Sequence, residues 1–388
     1  MKTDYLGNQV LGILGGGQLG KMMAQAAGPL GIPLHFLDPN PNAAVKGYGT
    51  LHQGSFKDEE AIKSLGQSVQ TVTAEIEHIS VEACRQLLDK GVRVEPHPDT
   101  FAVIQDKYLQ KQLFLEKKLP TPEFRKIDNL DELKSISKEW GLPLILKSRL
   151  SAYDGKGNFV VKGPEDIDEA FNTLNRPGGL YVEKMVPFSK ELAVMVARSR
   201  NGELSTYPVV ETIQKDNICH QTLYYGEESW SAEVRKIAAD AISHFKGAGI
   251  FGVELFYSDS GEILLNEIAP RPHNSGHYTI EACYTSQFEQ HLRCVLDLPL
   301  GDSSAKVKAA VMHNIICQKE GEEGLRHIEE LRLKTLGIPG ANFHWYGKDG
   351  LKLKRKIGHI TIVGNDPKEV AASLNEISQF DSLSEEKI

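Results

Sequence analysis

Short apolar runs alternate with amphipathic stretches along the first hundred residues. Val10–Leu14 is apolar and ends in the glycines of Gly15–Gly20, Lys21–Ala27 reads as a helix, and Leu34–Leu37 forms a second strand closed by Asp38-Pro39. A strand over Val69–Thr73, a helix over Val81–Lys90 and the short Val92–Val94 continue the series. Alternating strands and helices of this kind predict a parallel sheet covered on both faces.

Beyond Pro98 the rhythm changes. Phe101–Lys117 reads as one helix rich in Lys and Gln, ended by Leu119-Pro120-Thr121-Pro122, where each proline disfavours helix in the residue before it. A boundary is placed near residue 105. Helices are expected over 131–140, 166–174 and 231–246, and strands over 142–147, 158–162, 180–183 and 191–198. Phe251–Ile268 reads as a hairpin around Ser258-Asp259-Ser260-Gly261. From about Gly301 the chain carries short strands and a helix over 367–379.

The chain has 388 residues, enough for two or three domains. With 40% hydrophobic and 25% charged residues it falls outside the disordered class. No apolar run approaches the ~18–20 residues of a membrane span, and Met1–Tyr5 lacks a signal-peptide start. The five cysteines (Cys84, Cys219, Cys283, Cys294, Cys317) are scattered, which disfavours a disulfide framework and favours a reducing, cytoplasmic setting. A net charge of −8 argues against nucleic acid as a general partner, so basic clusters point to small anions.

Several stretches carry chemistry. Gly15-Gly16-Gly17-Gln18-Leu19-Gly20 satisfies G-x-G-x-x-G between strand and helix, and Asp38 follows where a dinucleotide site wants a ribose-binding acid. Nicotinamide or flavin, another phosphate ligand and a purely structural turn all remain open. In the hairpin, a two-residue turn at Ser260-Gly261 puts Glu254 opposite Glu267, with Phe256 and Leu265 beside them on one face. Two carboxylates so placed repel unless one is protonated or a cation lies between them, and oxygen donors suit Mg²⁺. Asn266 is expected by alternation to face the other way unless the strand bends. Lys147 ends an apolar strand and Lys107 follows Asp106 early in a helix; each is a candidate phosphate contact or an ordinary lysine. Ser151–Gly157 combines glycines with Lys156, as a phosphate-covering lid or a long turn would. The run Asn266–His277 is dense in donors (Arg271, His273, Asn274, Ser275, His277), favouring an anion, and lacks a convincing zinc constellation. Lys348, Lys352, Lys354, Arg355 and Lys356 make a local positive patch, read either as a strand with one wet face or as a site for a phosphate-bearing substrate.

Taken together, GGGQLG (15–20), TAEIE (73–77), YDGKGN (153–158), NEIAPRPHNSGH (266–277), HWYGK (344–348) and RKIGH (355–359) resemble the ATP-grasp superfamily, specifically the N5-carboxyaminoimidazole ribonucleotide synthetases of purine biosynthesis. The resemblance implies a three-domain α/β and α+β architecture: a Rossmann-like pre-ATP-grasp domain over 1–105, an ATP-grasp domain over 106–300 with a mobile lid at about 120–190, and a small carboxyl-terminal domain over 301–388. It implies a cytoplasmic homodimeric ligase that uses ATP and Mg²⁺ (Mn²⁺ as an alternative) with bicarbonate and 5-aminoimidazole ribonucleotide, through carboxyphosphate. It implies Glu254 and Glu267 as metal ligands. For ATP it implies Lys107, Lys147, Gly155, Gly157, Glu183, Lys184, Val186, Glu191, Gln214, Asn266 and Glu267. For the ribonucleotide and bicarbonate it implies Gln18, Leu19, Tyr153, Asp154, Lys156, Asn274, Ser275, Lys348 and Arg355, with Arg271, His273 and Lys348 as catalytic candidates. Two departures stand out: Ser151-Ala152 replaces the paired glycines common before the lid motif, and Ala269 occupies a position where many ATP-grasp relatives carry Asn.

Overall fold

The computed structural model describes residues 9–150 and 157–382. The first elements are β1 (Leu11–Leu14), α1 (Gln18–Ala27), β2 (Leu34–Asp38), β3 (Thr50–Gln53), α2 (Glu59–Gly66), β4 (Thr71–Ala74), α3 (Val81–Asp89) and β5 (Arg93–Val94). The strands form a parallel sheet in the order β3-β2-β1-β4-β5. Both faces are covered. Leu11 and Ile13 pack with Met22, Met23 and Ala27, while Leu14, Val72 and Ala74 pack with Leu65, Ala83 and Leu87. That is why these strands read as unbroken apolar runs. Strand order reverses at β1, so the crevice at its carboxyl end receives the Gly15–Gly20 turn.

The expected single helix over 101–117 is two: α4 (Pro98–Gln105) and α5 (Lys107–Glu116). Asp106 takes an extended backbone (φ −105°, ψ 101°) and its carboxylate accepts the amides of Tyr108 and Leu109. A short acidic side chain competes for backbone amides and is better at a cap than inside a helix. Arg149, 2.5 Å from Asp106, fixes the break.

Next come β6 (Phe124–Ile127), α6 (Leu130–Trp140), β7 (Leu144–Ser148), β8 (Asn158–Val161), α7 (Asp166–Leu174) and β9 (Leu180–Lys184). They build an antiparallel sheet in the order β6-β9-β7-β8. Leu144, Leu146, Leu180 and Val182 pack under Leu133, Ile136, Ile167 and Ala170. Alternation therefore turns Lys147 and Glu183 to the opposite face.

The chain continues with β10 (Phe188–Arg198), β11 (Leu204–Thr206), β12 (Val210–Lys215), β13 (Ile218–Tyr224), α8 (Ser231–Ser243), β14 (Gly249–Ser258), β15 (Ile263–Ala269), α9 (Thr279–Ala282) and α10 (Gln287–Val295). It ends with β16 (Ala309–Ile316), α11 (Gly321–Leu336), β17 (Ala341–Trp345), β18 (Lys356–Gly364) and α12 (Pro367–Ser382). One nine-stranded sheet runs β15-β14-β10-β12-β13-β16-β18-β17, with β11 on β10. The sheet thus continues across residue 301, because β16 pairs with β13 (Gln221↔His313 to Tyr224↔Ala310) and covers an edge that would otherwise be open. The helix α11 is missing from the sequence reading, although Gly324, Ile328, Leu331 and Thr335 bury one helical stripe. Residues 351–355 are a turn rather than a strand with one wet face, since β18 begins at Lys356 and Lys354 sits at φ +62°. Among the described residues, no helix is long and apolar enough to cross a membrane.

His291 joins the two large sheets. Its Nδ1 accepts the Ile250 amide (3.0 Å), so its Nε2 carries the proton facing Thr73 Oγ1 at 2.8 Å. Burial pushes its pKa down to about 3. Unfolding restores an ordinary imidazole, so below pH ~6.5 the unfolded chain binds the extra proton and stability falls as pH falls toward 3. His291→Gln should reduce the pH slope of unfolding free energy by up to about 1.4 kcal/mol per unit between pH 6 and 4, read from urea midpoints.

Candidate active site

The hairpin β14–β15 sets the geometry. Its turn has three residues, not two: Ser258 donates to Glu262 O (2.9 Å) and Gly261 sits at φ +85°. That change alone would put Glu254 opposite Asn266. The register shifts again between Glu254 and Leu255, where Asn266 is the extra residue of a β-bulge, and Glu254 lands opposite Glu267. The expected facing pair is therefore present, through two offsets that cancel. Two details differ from expectation. Leu265 joins the apolar core with Val253, Leu255 and Ile268 instead of flanking the carboxylates. Asn266, which strict alternation would turn away, brings its Nδ2 to 3.4 Å from Glu254 Oε2.

The two carboxylates are unequal. Burial, then the negative charges of Glu267 and Glu191, push the Glu254 pKa up. Burial acts the same way on Glu267, but the Lys107 ammonium at 2.5 Å outweighs it and holds Glu267 low. Lys107 is the first residue of α5, so the Asp106 break is what aims it at this cleft. Two carboxylates and a side-chain amide form an all-oxygen donor set that fits Mg²⁺. Among the described residues no cluster of three or more His, Cys, Asp or Glu forms a metal site.

Lys147 finds its anion inside the protein. Its Nζ lies 2.5 Å from Glu183 Oε2, and Lys111 lies 2.9 Å from Oε1. Burial would raise the Glu183 pKa, but Lys111 and Lys147 hold it low; burial brings Lys111 down to about 8. Glu183 is 2% exposed and ion-paired to both lysines, although its buried Oε1 has no hydrogen-bond partner. Lys184 points to the other face, onto Glu123 (2.7 Å) and the Trp140 ring, so its side chain does not accompany Glu183, and Val186 is partly buried in the connection that follows. Glu191, raised by burial, is hydrogen-bonded by Gln214, which stands at a second bulge.

In the 266–277 segment, Arg271 pairs with Glu77 at 2.7 Å, and its buried Nε has no hydrogen-bond partner. His273 Nδ1 meets Ser275 Oγ at 2.8 Å, while its Nε2 lies 3.6 Å from Glu254 Oε1. Burial, with Arg271 and Lys356 nearby, pushes His273 down to about 3, so it is a neutral imidazole. Asn274 exchanges amide hydrogen bonds with Asn314 of β16 (2.9 and 2.7 Å), tying the loop to the carboxyl-terminal strands. In the connection between β17 and β18, Lys348 donates to Lys356 O (2.8 Å) and Arg355 to Asp349 O (3.1 Å). The charge of Lys356, counted from the sequence only as part of the positive patch, reaches Glu254 and His273.

The glycine turn is already filled. Glu75, from TAEIE, accepts the Gly17 amide and the Gly20 amide (2.6 Å), and Asp38 accepts the Gly16 amide (2.8 Å). A Cβ at Gly17 would meet Glu75 Oε1 at 2.6 Å and would have to push that carboxylate out of the turn. The anion at this helix terminus is the chain's own carboxylate, and a dinucleotide pyrophosphate has no place to lie. Leu19 spends its side chain in the core (7% exposed), whereas Gln18 beside it is only partly buried. Tyr153, Asp154, Gly155 and Lys156 lie outside the described residues; Gly157, at φ +103°, is described and its carbonyl accepts the Ser148 amide.

A parallel pre-domain, a four-stranded sheet facing a long antiparallel sheet, and acidic and basic groups in the cleft between them define the ATP-grasp class of ligases. Three family descriptions match in series: a ribonucleotide synthetase preATP-grasp domain over residues 8–105, an ATP-grasp domain over 112–288, and a phosphoribosylaminoimidazole carboxylase C-terminal domain over 310–373. A Synechococcus elongatus protein named N5-carboxyaminoimidazole ribonucleotide synthase is 38% identical over 91% of this chain and 89% of its own. A Vigna aconitifolia protein named phosphoribosylaminoimidazole carboxylase, chloroplastic, is 44% identical over 94% of this chain, which spans 66% of that relative's length. The Aspergillus clavatus N5-carboxyaminoimidazole synthase, solved with ADP and 5-aminoimidazole ribonucleotide, superposes with a TM-score of 0.88 at 35% identity, covering 97% of this chain and 99% of its own. The chain belongs to the N5-carboxyaminoimidazole ribonucleotide synthase family.

Replacing Glu75 with Ala would leave two turn amides without an acceptor. The expected loss is about 2–4 kcal/mol of unfolding free energy by urea titration, with Glu75→Gln intermediate because one acceptor oxygen remains.

Proposed function

We propose that this chain carboxylates 5-aminoimidazole ribonucleotide with bicarbonate at the expense of ATP, releasing ADP and phosphate and passing through carboxyphosphate. The observation that carries the proposal is the opposed Glu254–Glu267 pair, with Lys107 on one side and Arg271 and His273 beside it. Glu254 and Glu267 would hold Mg²⁺, or Mn²⁺ in its place, with Asn266 adjacent; the metal supplies neutralisation of phosphate charge. Lys107 and Lys147 would meet the triphosphate by leaving their carboxylate partners. Glu191 with Gln214 would meet the ribose, and the main chain of 184–186 the base. The unpartnered Nε of Arg271 suits bicarbonate or carboxyphosphate. Neutral His273, oriented by Ser275, can hydrogen-bond to that group without adding positive charge. Lys348 and Arg355 would bind the ribonucleotide phosphate, with Asn274 and Gln18 lining the same space. Lid closure over residues 151–157 would keep water from carboxyphosphate. The division at residues 105 and 300, a homodimer and a cytoplasmic location complete the reading.

The test is ADP release with Mg²⁺, bicarbonate and 5-aminoimidazole ribonucleotide. Stimulation by that ribonucleotide is expected. Stimulation instead by glycinamide ribonucleotide with formate would move the chain to a different ligase activity. Glu267→Gln should remove nearly all ATP turnover, measured by coupled ADP detection, because it removes a metal ligand and strands Lys107. Arg355→Ala should raise KM for the ribonucleotide by about 10- to 150-fold with kcat little changed, the loss of one charge-assisted contact of roughly 1.5–3 kcal/mol.

A further inference from the structure

The bulge that brings Asn266 and Glu267 to one face has its own clamp on the helix α5. β15 is the outermost strand of the large sheet, so one of its edges faces no strand. On that edge, the buried Gln110 side chain closes a ring on a single residue: its Nε2 donates to Ile268 O (3.0 Å) and its Oε1 accepts the Ile268 amide (3.0 Å). Three residues earlier, Lys111 Nζ (3.2 Å) and Thr121 Oγ1 (3.0 Å) donate to Leu265 O, and the Leu265 amide donates to Pro120 O (2.8 Å).

In a regular strand the outward-facing peptide groups recur every two residues. Leu265 and Ile268 are three apart, and both also point into the same apolar core. That odd spacing exists only with one extra residue between them, and the extra residue is Asn266. Fixing both ends therefore fixes the bulge. A slip to regular alternation would have to break the Gln110 ring or the Lys111–Thr121 contacts, and it would rotate either Asn266 or Glu267 out of the cleft.

We infer that Gln110 and Lys111 are positioning residues for the metal-binding carboxylate pair, holding the β15 bulge in the register that presents Asn266 and Glu267 together. The inference rests on the reading of Glu254 and Glu267 as metal ligands and extends it to residues that touch neither metal nor substrate. Lys111 has a second task, since it also holds Glu183 of β9, so Gln110 is the cleaner probe.

A control is built into the fold. Gln290 closes the same two-bond ring on Gly301 (2.8 and 2.9 Å), away from the cleft. The experiment measures Mn²⁺ binding to the full chain with ATP by electron paramagnetic resonance, alongside hydrogen exchange over residues 263–269 without metal. Gln110→Leu, which keeps the volume and loses both bonds, should weaken Mn²⁺ binding by tenfold or more and accelerate exchange in 263–269. KM for the ribonucleotide should stay within twofold. Gln110→Glu keeps an acceptor for the Ile268 amide and should fall between wild type and Gln110→Leu. Gln290→Leu should leave Mn²⁺ affinity within twofold of wild type. Faster exchange in Gln110→Leu with unchanged Mn²⁺ affinity would overturn the assignment, as would equal weakening in both Leu variants. Wild-type protein that binds ATP but no Mn²⁺ would overturn the ligand reading itself, a separately visible result.

Discussion

Two carboxylates held against each other at the end of a hairpin are the constraint around which this protein is arranged. Left alone, Glu254 and Glu267 would repel at a cross-strand distance that the ladder does not allow them to relax. The fold answers with Lys107 at 2.5 Å from one of them, and with burial that favours the proton on the other. The pair thus stays nearly neutral without ligand while keeping the oxygen donors that a divalent cation needs. The Asp106 break between α4 and α5 belongs to the same design, because a continuous helix would not offer Lys107 at its first turn.

A second anion site is closed in the opposite way. The glycine turn after β1 has the shape and helix terminus of a dinucleotide cradle, but Glu75 fills it from the neighbouring strand. The negative charge is supplied covalently by the chain, so the turn becomes a joint between β1, α1 and β4 and not a phosphate site. Lys21, one turn into α1, then reaches the carbonyls of Trp345 and Tyr346 (2.8 and 3.2 Å), which links the amino-terminal layer to the strand leading to Lys348. The motif is therefore a structural joint whose amides are taken by Glu75 and Asp38.

What was legible in the sequence followed from local period. The parallel sheet, the helices of the four-stranded layer and the facing glutamates all came from spacing along a single segment. The glutamate pair shows how such counting can succeed for an incomplete reason: a three-residue turn and a bulge each displaced the register by one. The bulge had a visible mark, since Ile263, Leu265 and Ile268 break the alternation while Asn266 and Glu267 are consecutive polar residues. The split of 101–117 was marked by Asp106, an N-cap residue inside a helical run. Helix α11 was hidden by its charge, because a stripe of Gly324, Ile328, Leu331 and Thr335 is thin in apolar side chains. The partners of Lys111, Lys147, Arg271 and Glu75 were not legible at all. They lie far along the chain (Glu183, Glu77 and the Gly17 and Gly20 amides), and no period connects them.

The remaining site cations share one property that bears on how phosphates enter. Lys107 rests on Glu267, Lys147 and Lys111 on Glu183, and Arg271 on Glu77. Lys107 and Arg271 each face one carboxylate while Lys147 and Lys111 share one, so most of this positive charge is already matched inside the protein. A triphosphate arriving with its metal brings both signs of charge at once. On the proposed reading, the metal would take over Glu267 as the phosphates take Lys107, so this internal ion pair would be exchanged for two external ones. Such an exchange would, on the proposed reading, favour the metal complex of ATP over either component alone, because a bare triphosphate would free Glu267 without a partner and a bare cation would free Lys107. On that reading, selectivity for the intact complex would follow from the paired resting state itself.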